Sequence, residues 1–270
     1  MKKLRLAILD MNNGVANMGL NAIKDIVRTF EAELDWQVFD VRAKHEIPDL
    51  SFDIYISSGG PGSPFDGDGI WDKNFFKLID SVWSWNKTEE QKKHLFLICH
   101  SYQMACIHFK IADVVKRKSK SFGVFPTHKT INGETEPVFE NLPDTFWIGD
   151  FRDWQVLQPN FERMNDLGIQ LLCLEKIRPH VPLERAMMAI RFSDEIFGTQ
   201  FHPEAYPKGM IETFQKEEKK QYIIDTFGAE KYTQMMEDLN NPQKIQLTYD
   251  TILPTFIERA IESCRVNVLV

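Results

Sequence analysis

The sequence predicts a three-layer α/β fold, a mostly parallel central sheet flanked by helices, and three observations carry that expectation. Apolar runs of strand length at residues 4–9, 53–57 and 95–98 alternate with stretches whose apolar residues recur at helical spacing. The third run stops abruptly at Cys99 and passes at once into a helical pattern through Cys106, a strand-to-helix turn of the kind found at the carboxyl edge of a parallel sheet. The composition, 43% hydrophobic and 26% charged over 270 residues, suits a globular chain with a sizeable core.

Taken in order, residues 4–9 read as a buried strand followed by the turn-rich Asp10-Met11-Asn12-Asn13-Gly14. Asn17 is a candidate cap for a helix in which Leu20, Ile23, Ile26, Val27, Phe30 and Leu34 recur at helical spacing. Residues 36–41 and 53–57 are predicted strands, the latter running into Ser57-Ser58-Gly59-Gly60-Pro61-Gly62. A helix over 72–86 carries Phe75, Phe76, Ile79, Val82 and Trp83, and 87–93 is a polar connector. Beyond Cys106, strands are expected at 121–130 and 146–148 about an Asn132-Gly133 turn, at 169–175 and 186–192 around the Gly168 turn, and at 196–201, ending at His202. Residues 207–246 are charged and helix-prone, with apolar positions spaced for one or two amphipathic helices. A closing helix is expected over 249–261, and the apolar tail 266–270 is expected to pack or pair as a short strand. The expected organisation is one domain over 1–270, with a helical insertion at about 207–246 before the closing helix.

A formal net charge of −7 lacks the basic footprint of a nucleic-acid binder. No run approaches the ~20 apolar residues of a membrane span. The run after Met1-Lys2-Lys3 is broken by Arg5 and Asp10, too short for a signal peptide. Cys99, Cys106, Cys173 and Cys264 show no C-x-x-C spacing, so a reducing, cytoplasmic setting is expected. His100, Tyr102 and His108 have no partners at ligand spacing, and no metal or cofactor is expected.

Cys99 carries the chemical interest. At the start of a helix its sulfur lies among unpaired backbone N–H groups, whose field favours a thiolate. A free cysteine taken alone is more often core than nucleophile. The balance shifts with two distant segments: the Gly59-Gly60-Pro61 loop upstream, and Gln200-Phe201-His202-Pro203-Glu204 downstream. In this order the three segments resemble the class I glutamine amidotransferase family, over roughly residues 4–206 plus the last helix.

The resemblance implies a flavodoxin-like fold and a Cys99-His202-Glu204 triad. It implies an oxyanion hole from the backbone N–H groups of Gly60 and His100, and a substrate contact from Gln103. The elbow departs from the family at Leu97 and Ser101, where glycines are usual; serine is expected to be tolerated and the bulky leucine to crowd the turn. The implied activity is hydrolysis of glutamine to glutamate and ammonia through a cysteine thioester. Among relatives the resemblance is nearest to the glutaminase domain of GMP synthase, with no synthetase domain following. Ammonia would pass to a separate synthetase, and a homodimer is the other protein partner in view. The alternatives are a γ-glutamyl peptidase or amide hydrolase with the same triad, and a non-catalytic binding or regulatory relative.

Overall fold

Strands buried on both faces lose their polar alternation, and three of the apolar runs do so completely. Every residue is buried in β3 (Ile54–Ser57), β4 (His94–Ile98) and β9 (Ile196–Thr199). The computed structural model describes residues 2–180 and 183–266. With β1 (Leu4–Asp10), β2 (Leu34–Asp40), β5 (Asp113–Lys129), β6 (Thr145–Leu157), β7 (Gln170–Glu175) and β8 (Met187–Arg191), the strands make one sheet in the order β2-β1-β3-β4-β9-β8-β7-β5-β6. Pairing is parallel from β2 through β9 and antiparallel from β9 through β6.

Successive side chains of the parallel half feed two separate cores. Leu6, Ile8, Ile54, Ile56, Phe96 and Ile98 pack with α1 (Met18–Arg28) and α9 (Leu247–Val266). Ala7, Leu9, Tyr55, Leu95 and Leu97 pack with α2 (Trp71–Thr88), α3 (His100–Phe109) and Met164 of α5 (Phe161–Leu167). This is the three-layer α/β architecture read from the sequence. At 11 residues α1 is too short to be stable alone. Its buried Leu20, Ile23, Ile26 and Val27, each stabilising by about 1.5–3 kcal/mol, hold it to the sheet.

Several elements differ from the sequence reading. Leu34 opens β2, opposite Leu4, instead of ending the first helix, which stops at Arg28. The strands expected at 121–130 and 146–148 belong to a much longer hairpin. β5 starts at Asp113, and the charged run Lys116-Arg117-Lys118 opens a register shift that spans Lys116 to Ser121. Asn132-Gly133 falls within the short helix α4 (Ile131–Glu134), capped by the Thr130 side chain, instead of forming a tight turn. Residues 207–246 hold three α-helices, α6 (Pro207–Phe214), α7 (Glu217–Phe227) and α8 (Ala229–Asn240), followed by a π-helical turn over Pro242–Gln246. Gly228, at φ 93°, breaks α7 and α8 apart in a backbone region that side chains disfavour. The strand proposed for the tail falls on 267–270, outside the described residues; Val266 ends α9.

α6, α7 and α8 bury Met210, Phe214, Ile223, Met235 and Leu239 against Val124, with Phe122 and Phe151 of β5 and β6 packed alongside. The insertion therefore has no core of its own and covers the antiparallel half of the same chain. No helix among the described residues is long and apolar enough to cross a membrane.

Two buried histidines give this core a pH signature. Burial, with the nearby positive charges of Arg191 and Lys93, pushes the His94 imidazole down to about 4; burial and Arg42 push His100 down to about 3. An unfolded histidine protonates near 6.5, so between that value and the depressed ones the unfolded chain binds more protons, and stability falls as the pH drops. Urea titrations of wild type and His94→Leu between about pH 7 and pH 4 should show the gap closing toward acid. The variant regains up to about 3 kcal/mol relative to wild type.

Candidate active site

β4 and β9 are neighbours in parallel register, with Ile98 beside Thr199, so the residues that leave them emerge at one edge of the sheet. The Cys99 N–H donates to Thr199 O at 2.7 Å, tying the two exits together. Cys99 has φ 48° and ψ −96°, a conformation that costs a residue with a side chain about 1–3 kcal/mol. Hydrogen bonds around it hold the strain in place. Ser101 Oγ accepts from the Ile98 N–H at 2.9 Å and lies 3.1 Å from Ser57 O, and the Gln103 N–H donates to Cys99 O at 2.9 Å.

His202 follows β9, its N–H bonded to Gly149 O of β6 at 3.0 Å. Nδ1 lies 2.8 Å from Glu204 Oε1, and the Cys99 sulfur also acts on the charge of the same ring. Burial opposes charge on this ring, but the Glu204 carboxylate and the Cys99 sulfur outweigh it and hold the His202 pKa well above the ordinary value. Both groups stand over Gly59, where a Cβ would lie 2.8 Å from His202 Cε1 and 3.5 Å from Cys99 Cβ. Glu204 is buried against Gly19 in the first turn of α1, and the Asn17 side chain caps that turn through the N–H groups of Gly19 and Leu20. The positive end of the helix favours a negative carboxylate there.

The structure thus brings Cys99, His202 and Glu204 together and places Gly60 beside them. Cys99, Gln103, His202, Glu204 and Gly60 all line one cavity of about 680 Å³. Among the described residues neither the Gly60 N–H nor the His100 N–H has a hydrogen-bond acceptor, and His100 is the first residue of α3, directly after the sulfur. The His100 ring is buried and takes no part in the cavity wall. Gln103 is buried too; its Nε2 donates to Trp154 O and Gln200 Oε1, both at 3.2 Å. No group of three or more His, Cys, Asp or Glu among the described residues is arranged to hold a metal.

Sequence reasoning missed four contributors. Gly59 is the floor under the imidazole. Arg42 Nη1 bonds Pro61 O at 2.6 Å and Met11 O at 3.3 Å, clamping the glycine loop from β2's exit. Arg152 of β6 is wholly buried beside the cavity, held by Asp150 at 2.8 Å and Glu175 at 3.1 Å. Gln200 Nε2 lies 3.7 Å from Cys99 Sγ. Gly59 and Gln200 had a sequence signal, each standing inside a motif segment but without a role assigned to it.

Comparison with known proteins agrees with this geometry. The family model described as glutamine amidotransferase class-I matches residues 15–218. No curated protein matches the sequence. Among solved structures, a glutamine amidotransferase from Thermotoga maritima is similar with TM-score 0.69 at 17% identity, covering 97% of this chain and 100% of that one. A candidate GMP synthase subunit from Thermoplasma acidophilum gives TM-score 0.54 at 17% identity, covering 76% and 86%. The glutaminase domain of a Trypanosoma brucei CTPS with bound acivicin gives 0.55 at 13%, covering 75% and 86%. At such identities these likenesses speak for the fold, whereas the family model spans most of the chain. The chain belongs to the class I glutamine amidotransferase family.

Proposed function

We propose that the chain hydrolyses the side-chain amide of glutamine, releasing glutamate and ammonia. The observation that supports this most is the strained Cys99 turn facing the His202–Glu204 pair across Gly59. Family members are generally cysteine-dependent amidotransferases, and here a cysteine, a histidine and a carboxylate stand together beside one cavity. In the proposed reaction Cys99 Sγ attacks the amide carbon as its proton sits on His202, while Glu204 holds the imidazole through Nδ1. The developing oxyanion takes the N–H groups of Gly60 and His100, which have no other acceptor among the described residues. His202 returns the proton to the leaving nitrogen, and ammonia departs from a γ-glutamyl thioester. A water molecule, deprotonated by the same imidazole, then frees glutamate and the thiol. Gln103 offers the substrate its remaining amide oxygen. A separate synthetase is the proposed acceptor of the ammonia, and the four buried, unpaired cysteines support a reducing, cytoplasmic setting.

A second reading rests on the cavity wall. The His202 ring is followed by Phe151 at 6.1 Å between centroids, then Phe122 at 5.1 Å and Phe214 of α6 at 5.8 Å. The leaving nitrogen must lie on the His202 side, so an apolar substituent on it would run along these rings, as in a γ-glutamyl amide with an apolar amine half. Steady-state release of ammonia from glutamine, set beside release of amine from γ-glutamyl amides of rising apolar size, tests both. Higher kcat/KM for glutamine supports the first reading, and higher kcat/KM for the larger amides supports the second. Turnover of neither substrate contradicts both.

The insertion at 207–246 is proposed as a lid attached to a single domain, because Met210, Thr213 and Phe214 of α6 line the cavity. Deleting Gly209 to Lys244 with a short linker should abolish most hydrolysis and leave the solution mass that of the same oligomer. A drop in oligomeric state would favour a dimer contact instead, and a deletion that changes neither would remove both roles.

A further inference from the structure

A side-chain amide does not reveal by shape which end is oxygen; its orientation follows from its partners. At the centre of this fold the partners settle it from one end. Trp154 O, a backbone carbonyl of β6, can only accept, so the Gln103 atom 3.2 Å from it is the Nε2 donor. The same Nε2 lies 3.2 Å from the Gln200 amide, which must therefore turn its Oε1 toward Gln103. What remains of Gln200, the Nε2 group, faces Cys99 Sγ at 3.7 Å. Gln200 is fully buried, Gln103 and Cys99 nearly so, and the Gln200 main chain is fixed by its own N–H to Met188 O at 2.8 Å.

The consequence lies in the charge on sulfur. A thiolate is a hydrogen-bond acceptor, while a neutral thiol can satisfy itself by donating, so a fixed N–H donor stabilises the ionised form selectively. We propose that Gln200 is a catalytic residue that donates a hydrogen bond to the Cys99 thiolate, and that Gln103 is a positioning residue that sets the direction of that donor. The inference rests on the reading of Cys99 as the nucleophile but not on which amide it attacks. One short segment after β9 then delivers both the donor and, two residues later, the base, so the register of that strand end sets both groups at once.

The test follows the thiolate directly. The full chain is alkylated with iodoacetamide over a range of pH, and the rate at Cys99 is read by peptide mass spectrometry for wild type, Gln200→Met and Gln103→Met. Cys106, Cys173 and Cys264 are buried with their thiols pushed up, so they do not compete. Gln200→Met should lower the Cys99 rate about tenfold near pH 6.5 and leave the plateau at high pH unchanged, the size of one lost net hydrogen bond. Gln103→Met should give a smaller drop of about threefold, because a freed Gln200 still donates part of the time. Gln200→Asn, one methylene shorter, withdraws the donor while staying polar, and should show the same drop of about tenfold near pH 6.5 with an unchanged plateau, which keeps the test open if methionine disturbs folding.

A profile that superposes on wild type, or a rate lowered equally at every pH, would overturn the proposal, the second being what loss of packing alone produces. Shifted profiles in a chain that does not turn over glutamine would leave the relay standing and count against the glutaminase reading. Turnover of glutamine with unshifted profiles would do the reverse.

Discussion

Cys99→Ala and His202→Ala will each lower ammonia release from glutamine by about 10⁴-fold or more, and Glu204→Gln will lower it by one to two orders of magnitude less. The ranking follows from what each group touches. In the proposed reaction Cys99 makes the bond and His202 moves the proton, so removing either would leave only binding and the oxyanion donors. Glu204 acts through the imidazole, which Glu204→Gln can still contact at Nδ1 without supplying the charge that holds the His202 pKa up. All three variants should unfold near the wild-type temperature. Three variants with wild-type turnover would remove the triad as the reacting constellation.

Gly59→Ala is expected to cost about 10²-fold in kcat with the fold intact. The added Cβ would come within 2.8 Å of His202 Cε1, well inside van der Waals contact, and 3.5 Å from Cys99 Cβ. Either the imidazole swings away or the glycine loop retreats, and a displacement of about 1 Å at a reacting group is enough for that loss. Arg42, which clamps the loop through Pro61 O and Met11 O, makes retreat the harder of the two. The check is a comparison of kcat and KM for wild type and Gly59→Ala, beside their thermal unfolding. A fully active Gly59→Ala enzyme would mean that the ring does not stand over this glycine.

The parallel half of the sheet was legible in the sequence for one physical reason, and the grouping of Cys99, His202 and Glu204 through the family resemblance. Buried parallel strands are short apolar runs, and the turns at their carboxyl ends carry the polar residues, so Cys99 and His202 stand out against Leu95–Ile98 and Ile196–Thr199. Where pattern and burial part company, legibility ends. The first half of β5 is mostly exposed and charged, which reads as a solvated loop and hides a strand. Leu34 fits the helical period of α1 and also the first inward position of β2, and the pairing with Leu4 decides it.

Leu97 is the instructive case. The sequence suggested that a bulky residue here would crowd the elbow, yet Leu97 is fully buried in the core beneath α3. Close approach is supplied by the neighbouring strand. A Cβ at Gly198 of β9 would sit 2.8 Å from Tyr102 Cδ2 of α3, so the space that matters is opened one strand over. Ser101 replaces glycine's compactness with hydrogen bonds to Ile98 N–H and Ser57 O. The orientation of Gln200 had no sequence counterpart at all, because it depends on a carbonyl of β6 reached through a third residue.

If Cys99 is the nucleophile for a γ-glutamyl amide, an electrophilic glutamine analogue will label it covalently. The chain is treated with and without excess glutamine, and the modified peptide is mapped by mass spectrometry. The expected result is a single label on Cys99, slowed by glutamine and absent in Cys99→Ser, with Cys106, Cys173 and Cys264 unmodified in their buried positions. Label that persists in Cys99→Ser, or a chain left unlabelled while intact, would contradict it.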